Sequence, residues 1–237
     1  MKKIFRILFL MFISSQLTFA QGSDPVFHFG LKVLPNLGWI KTDDTSVKSD
    51  GSKLGFAYGL VTEFRFADNY AFATGLDVTY RNAKLKGEEN SIINDSISTK
   101  TISKASMKLQ YIEIPLTLKL KTNEIGYFRY FLQIGVAPAF KIRARGDVKG
   151  TTATTKTVGT TTTDLGTETF DEENVDIKDD INNLNVSMVV SGGVEYNLSG
   201  NTNLVLGLVF NNGFSDIADG DLKQKSNFFG LSIGVLF

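Results

Sequence analysis

The chain has 237 residues and balances 25 Lys and Arg against 25 Asp and Glu, so nothing in its charge points to nucleic acid as a partner. It contains no cysteine and one histidine, which removes disulfides and thiol chemistry and leaves too few ligands for a His-based metal site or a triad. After the first twenty residues no apolar run reaches the roughly 18 that a membrane helix needs.

Residues 1–20 read as an export signal. Lys2, Lys3 and Arg6 form a positive start, Ile7 to Ile13 a short apolar core, and Ser14 to Ala20 a polar stretch ending Thr18-Phe19-Ala20. The core is too short to span a bilayer, so the pattern predicts a cleaved signal peptide. Cleavage would remove three basic residues and no acid, leaving a mildly acidic mature domain, 21–237, outside the cytoplasm.

From Phe27 onward large apolar residues alternate with small or polar ones at period two, the pattern of strands whose faces meet different surroundings. The first segment, about Phe27 to Leu37, is the least regular. The second sets Leu54, Phe56, Tyr58 and Leu60 against Gly55, Ala57, Gly59, Glu63 and Arg65, and the third sets Phe72, Leu76, Val78 and Tyr80 against Ala73, Gly75, Asp77 and Arg81. The fourth sets Ile112, Ile114, Leu116, Leu118 and Leu120 against Tyr111, Glu113, Thr117, Lys119 and Lys121. The fifth sets Phe128, Tyr130, Leu132, Ile134 and Val136 against Arg129, Gln133, Gly135, Ala137 and Lys141. Segments near Val186 to Tyr196, Leu204 to Phe210 and Phe229 to Phe237 complete the set. Tight turns near Asp68, Asn123 to Gly126 and Ser199 to Asn201 alternate with long joins at about Gly38 to Lys53, Lys84 to Ala105, Ala144 to Leu184 and Asn212 to Asn227. An even number of strands, short turns on one side and long loops on the other predict an all-β fold. The expectation is an eight-stranded antiparallel up-and-down transmembrane β-barrel in an outer membrane, with both termini periplasmic.

The aliphatic face is too uniform and bulky to fill a lumen of eight strands, so it is expected to meet outer-membrane lipids. Aromatics near the strand ends, among them Phe66, Tyr70, Tyr127 and Tyr196 on one side and Trp39, Tyr80 and Phe210 on the other, fit two girdles. The interior then receives Lys32, Glu63, Arg65, Asp77, Arg81, Glu113, Lys119, Lys121, Arg129, Lys141, Arg143 and Glu195. In so narrow a space these groups are expected to pair as a plug, because unpaired buried charge is too costly. A turn near Asp68 sets Asp77 opposite Gly59 and Glu63 opposite Ala73, and a turn centred at Asn123 and Glu124 sets Glu113 opposite Gly135. Pro115 and Pro138 lack a ladder donor and predict bulges. His28 reads as a polar residue at the periplasmic end of the first strand.

The third long join is the most individual: Gly150 to Gly166 holds nine threonines, and Asp171 to Asp180 six acids and one lysine. Threonine favours extended structure, so this loop is expected to prolong its flanking strands. Its acids lack the Asp-x-Asp-x-Asp-Gly spacing of a calcium loop and read as solvated surface.

Several stretches resemble the PorT-like outer-membrane β-barrel family of Bacteroidetes: Gly30-Leu-Lys-Val-Leu-Pro-Asn36, Tyr111-Ile-Glu-Ile-Pro-Leu-Thr-Leu-Lys119, Tyr130-Phe-Leu-Gln-Ile-Gly135, Asp176-Ile-Lys-Asp-Asp180, Gly193-Val-Glu-Tyr196 and Phe210-Asn-Asn-Gly-Phe-Ser-Asp-Ile217. The resemblance spans about residues 27–237 and implies an eight-stranded outer-membrane barrel, without catalytic residues. Asp95-Ser96-Ile97 resembles an O-glycosylation site of that phylum. The terminal Phe237 looks like the signal read by the barrel-insertion machinery. The leading expectation is a non-enzymatic barrel without cofactor or metal, with a structural, interaction or secretion-accessory role. Its long loops would contact an envelope or surface protein. A channel for small solutes and a soluble ligand-binding barrel with reversed faces are the alternatives.

Overall fold

The computed structural model describes residues 26–43, 46–94, 96–158, 160–219 and 223–237; the export signal, and Asp95 of the modification motif, lie outside them. Ten strands build one antiparallel sheet: β1 Phe27–Thr42, β2 Val47–Ala67, β3 Tyr70–Asn94, β4 Ile97–Glu113, β5 Leu116–Lys121, β6 Phe128–Val158, β7 Thr161–Asp176, β8 Leu184–Ser199, β9 Thr202–Gly213 and β10 Gln224–Leu236. Pairings run β2-β1-β10-β9-β8-β6-β4-β3, and β3 pairs with β2, so the succession ends where it began. β4 and β5 hold one register against both neighbours, with Asp77 opposite Glu113 and Thr74 opposite Leu116 on β3, and Ala139 opposite Glu113 and Val136 opposite Leu116 on β6. They are one course of chain, interrupted where Pro115 has no N–H to give.

Period two decides which side each residue takes. Along β1 the alternation of exposed and buried positions is regular, although its sequence pattern is the least regular. Leu54, Leu60, Leu76, Leu132, Ile134, Leu208 and Leu231 are all exposed, while Ala57, Ala73, Ala137 and Ala139 on the other face are buried. Small residues on the buried face let the walls approach and leave room for the long polar side chains between them.

The turn after β2 places Gly59 opposite Asp77 and Glu63 opposite Ala73. The next turn departs from the expected centre. Gly126, at φ 68°, lies in a turn bridged by Ile125 and Phe128, and Glu113 faces Ala139 while Thr117 faces Gly135. The left-handed conformation that glycine tolerates moves the turn toward Gly126, yet the shift is even, so every side chain keeps its face. Pro138 sits in an unbroken ladder opposite Val186; the irregularity lies between Gln110 and Tyr111, where β6 skips Ile142 between Lys141 and Arg143. Both Ile142 and Arg143 are exposed and Ala144 is buried again. This bulge reverses the parity and corrects the expectation that Arg143 points inward.

Three of the predicted loops are largely strand. β2 and β3 pair as far as Val47 and Gly87, β3 and β4 as far as Asn94 and Ile97, and β6 pairs with β7 as far as Val158 and Thr161. Thr and Ile in the β3–β4 and β6–β7 stretches suit extended backbone, but polar residues on both sides erase the alternation by which strands are read from sequence. The long join between β6 and β8 makes a strand of its own, β7, besides prolonging β6.

Candidate functional site

Four charges, three of them buried and Lys121 half-buried, gather on the inner face near the short turns. Glu63 on β2, Lys119 and Lys121 on β5 and Glu195 on β8 alternate in sign: Lys119 bonds both glutamates, and Lys121 reaches Glu63 at 2.6 Å and Glu195 at 2.9 Å. Two cations against two carboxylates leave no net charge, and each carboxylate accepts from both ammonium groups. Phe131 carries the Lys119 ammonium 4.4 Å from its ring centre. His28 is buried beside this group, across the ladder from Glu63.

Further along the interior a second balanced set forms. Arg81 is 1% exposed and donates to Glu113 and, at 2.7 Å, to Asn185 Oδ1. Lys32 pairs with Asp77 at 2.8 Å. Asp77 and Glu113 are direct cross-strand neighbours, a repulsive placement that the two cations offset. The Arg81 guanidinium also lies 5.3 Å from the Tyr111 ring and 5.6 Å from that of Phe228.

A cavity of about 80 Å³ touches both sets, lined by Lys32, Asp77, Glu113 and Lys119 with Phe131 and Phe228 among others. Asp77 Oδ1, one of its walls, has no protein partner. The volume gives room for several waters, since one needs about 10–15 Å³ of such space.

Toward the long hairpins the interior becomes apolar. Ile40, Leu85, Met107, Leu109, Ile181 and Ile217 form one buried cluster, with Ile177 packed against it. The segment after β7 supplies Ile177 and Ile181, and Ile217 follows β9, so two connections fold in over the mouth. Asn182 pins them together by donating to Asp216 O at 3.0 Å and Ala218 O at 2.8 Å. Lys141, expected as an ion-pair partner, instead donates to the backbone carbonyls of Lys178 and Ile181 and holds the same segment down.

Of the remaining expected interior charges, Arg129 bonds Glu124 at 2.9 Å beside the turn, and Arg65 lines a small pocket there with His28, Lys121 and Arg129. The structure thus brings Glu63, Lys119 and Glu195 together, and Arg81 with Glu113; it keeps Arg129 and Lys141 at opposite rims and turns Arg143 outward. Asn185, Phe131, Tyr111 and Phe228 complete the interior and were not singled out as partners by sequence. Their inward parity was readable; their neighbours, on strands up to a hundred residues away, were not. Among the described residues no group of three His, Cys, Asp or Glu stands where it could hold a metal ion.

The outer face carries the apolar band. At the short-turn end Phe66 stacks on Tyr70 at 6.2 Å, Tyr127 meets Tyr196 at 6.1 Å and Phe29 meets Phe237 at 5.6 Å; at the other end Trp39 stacks on Phe210 at 6.3 Å. Phe237 also closes the last ladder step, its N–H donating to Phe29 O at 2.7 Å.

The family model described as "Outer membrane protein beta-barrel domain" matches residues 19–219. Similar solved structures include the outer-membrane protein OprG of Pseudomonas aeruginosa, with 12% identity, 92% of this chain and 98% of that one covered, and a TM-score of 0.39. Neisserial surface protein A has 12% identity, with 89% and 97% covered and a TM-score of 0.37. The outer-membrane protein AlkL in lipid bilayers has 12% identity, with 92% of each chain covered and a TM-score of 0.41. None of the curated proteins matches the chain.

Proposed function

Because the chain belongs to the outer membrane protein beta-barrel domain family, and so to the outer membrane, we propose that it serves there as a non-enzymatic structural or interaction protein. Its long hairpins meet envelope or surface proteins, in a role that includes assisting secretion. In this reading the sheet is a closed barrel of eight courses, with β4 and β5 counted as one and β7 as an outer partner of β6; the return of the pairings from β3 to β2 supports it. The apolar band faces lipid, the short turns and both termini face the periplasm, and residues 1–20 are removed as a signal peptide. The motifs from Gly30 to Ile217 support a narrower placement among the PorT-like barrels of Bacteroidetes.

The observation that carries the proposal is the filled interior. Two charge-balanced sets and an apolar seal leave about 80 Å³, while β6 and β7 run far past the seal. The purified protein in a planar bilayer is expected to show no steady conductance. Deletion of residues 147–175 is expected to spare membrane insertion and abolish crosslinks to partner proteins on intact cells. Steady conductance of the wild type, or unchanged crosslinks after the deletion, would count against it. Passage of a small solute is the second reading, favoured by the unpartnered Asp77 Oδ1 on the cavity wall; the same recording decides it.

A further inference from the structure

The hairpins beyond the apolar band carry an arrangement that no single strand reveals. Lys48 on β2 is the direct cross-strand partner of Lys86 on β3, Lys86 of Lys104 on β4, and Lys104 of Lys149 on β6. Residues directly opposite one another share a face of the sheet at about 5 Å spacing, so four ammonium groups stand in one row roughly 15 Å long. Between them and the interior lie Leu85, Ala105 and Val148 of opposite parity, so the row is on the outer face, continuous with Leu76, Val78 and Tyr80 of the apolar band.

Elsewhere on these hairpins cations meet acids. Lys100 pairs with Glu88 at 2.6 Å, Lys108 with Asp147 at 2.7 Å, and Lys149, at the end of the row, with Asp171 at 2.9 Å and Glu173 at 3.2 Å. Lys48, Lys86 and Lys104 make no salt bridge among the described residues, and Lys84 adds a further exposed cation on the same face. Like charges placed directly opposite weaken a sheet, so the row calls for an anion from outside the chain. Two shallow depressions flank it, of about 400 and 460 Å³, sharing Lys104 and the exposed Ile102; Glu88, held by Lys100, lines the first and Asp171, held by Lys149, the second.

Position selects the anion. The apolar band ends near Leu54 and Asn82, whose side-chain amide donates to Leu54 O at 2.7 Å. Lys86 lies four residues beyond Asn82, about 10 Å along the barrel axis for strands tilted near 40°. That is the level of the headgroups in the leaflet the hairpins cross, and the row faces sideways into it. We propose that Lys48, Lys86, Lys104 and Lys149 form a lateral binding site for a phosphate-bearing glycolipid headgroup of the outer leaflet. The phosphates span neighbouring ammonium groups, and Ile102 offers an apolar contact between them. The site rests on the outward orientation of the hairpins proposed above.

The test uses the full mature chain in zwitterionic detergent, with thermal unfolding followed during titration by a diphosphorylated glycolipid, its dephosphorylated form, or inorganic phosphate. The diphosphorylated lipid is expected to raise the midpoint of the wild type, and the other two to leave it unchanged. K86Q/K104Q is expected to weaken the apparent affinity about 25-fold, near fivefold for each lysine removed at an anionic surface. Lys156→Gln, farther out on β6, is expected to change nothing. Without lipid, K86Q/K104Q should unfold at a higher temperature than the wild type, because repulsion is relieved; a purely structural role predicts the reverse. Should that variant fail to fold, the wild type alone decides, since the lipid effect must fade between 0.1 M and 1 M salt as the Debye length falls from about 10 Å to about 3 Å. An equal response of wild type and variant, an equal response to the dephosphorylated lipid, or saturation by inorganic phosphate would overturn the proposal. Labelling of the row on intact cells by a membrane-impermeant amine reagent separates a wrong orientation, which blocks labelling, from a wrong ligand, which does not.

Discussion

Near the short turns Glu63, Lys119 and Glu195 are buried and Lys121 half-buried, and each charge meets its opposite on the inner face. On the outer hairpins Lys48, Lys86 and Lys104 stand directly opposite one another, and the opposite charges that do pair are exposed. Both regions are rich in charge, and the difference between them is water. An interior ion left without a partner loses its solvation with nothing in return, whereas water and salt screen a like-charged row at the surface enough for the sheet to persist.

The comparison breaks most readily at its buried end. Lys119→Met is expected to lower unfolding free energy by about 3–5 kcal/mol, because Glu63 and Glu195 then share Lys121 alone. Urea titration in detergent, with the heat-dependent gel shift of a folded barrel as readout, checks it; an unchanged midpoint would show that water reaches the set freely. Next comes the apolar seal, which lies between the two extremes. Ile217→Ala removes a fully buried side chain and is expected to cost about 2–4 kcal/mol while speeding hydrogen exchange in the segment from Ile177 to Ile181. Lys149→Ala marks the exposed end. It breaks two surface ion pairs, and the unfolding midpoint is expected to stay at the wild-type value.

The smallest effect is a pH dependence confined to the hairpins. The hydrogen bond and charge of Lys100 hold the Glu88 carboxyl below its ordinary value, and hydrogen bonds from Lys108 and the Asn174 N–H do the same for Asp147. A depressed carboxyl contributes stability that is complete above its unfolded pKa and is lost as pH falls through the folded value, which lies below the ordinary one. Lys149 is raised, chiefly by its hydrogen bonds to Asp171 and Glu173, so its share persists at every lower pH at which those acids stay ionised. Amide exchange at pH 3 and pH 7, corrected for intrinsic rates, is expected to loosen the β3–β4 and β6–β7 hairpins at the lower pH and leave the inner courses protected. Equal protection at both would show that the outer pairs contribute nothing.

Much of the wall was legible because a strand reports its own faces. Leu132 exposed and Ala137 buried follow from period two alone, and the even shift of the turn at Gly126 could not disturb that. Arg143 was misread because one extra residue at Ile142 reverses the parity, and nothing in the local composition marks the bulge. The hairpins were taken for loops because water bathes both of their faces, which leaves no alternation to read.

Amino-acid order alone determined the alternation, the tight turns, the long joins and, Arg143 apart, the ionisable residues of the inner face, since each depends on neighbours a few positions away. Tertiary structure decided which charge meets which: Lys119 finds Glu195 only where β5 and β8 face each other across the interior, and the lysine row exists only once four strands align in register. The physical reason is range. Backbone geometry assigns a side chain its side of the sheet locally, whereas Coulomb pairing depends on distances that are set only when remote strands come together.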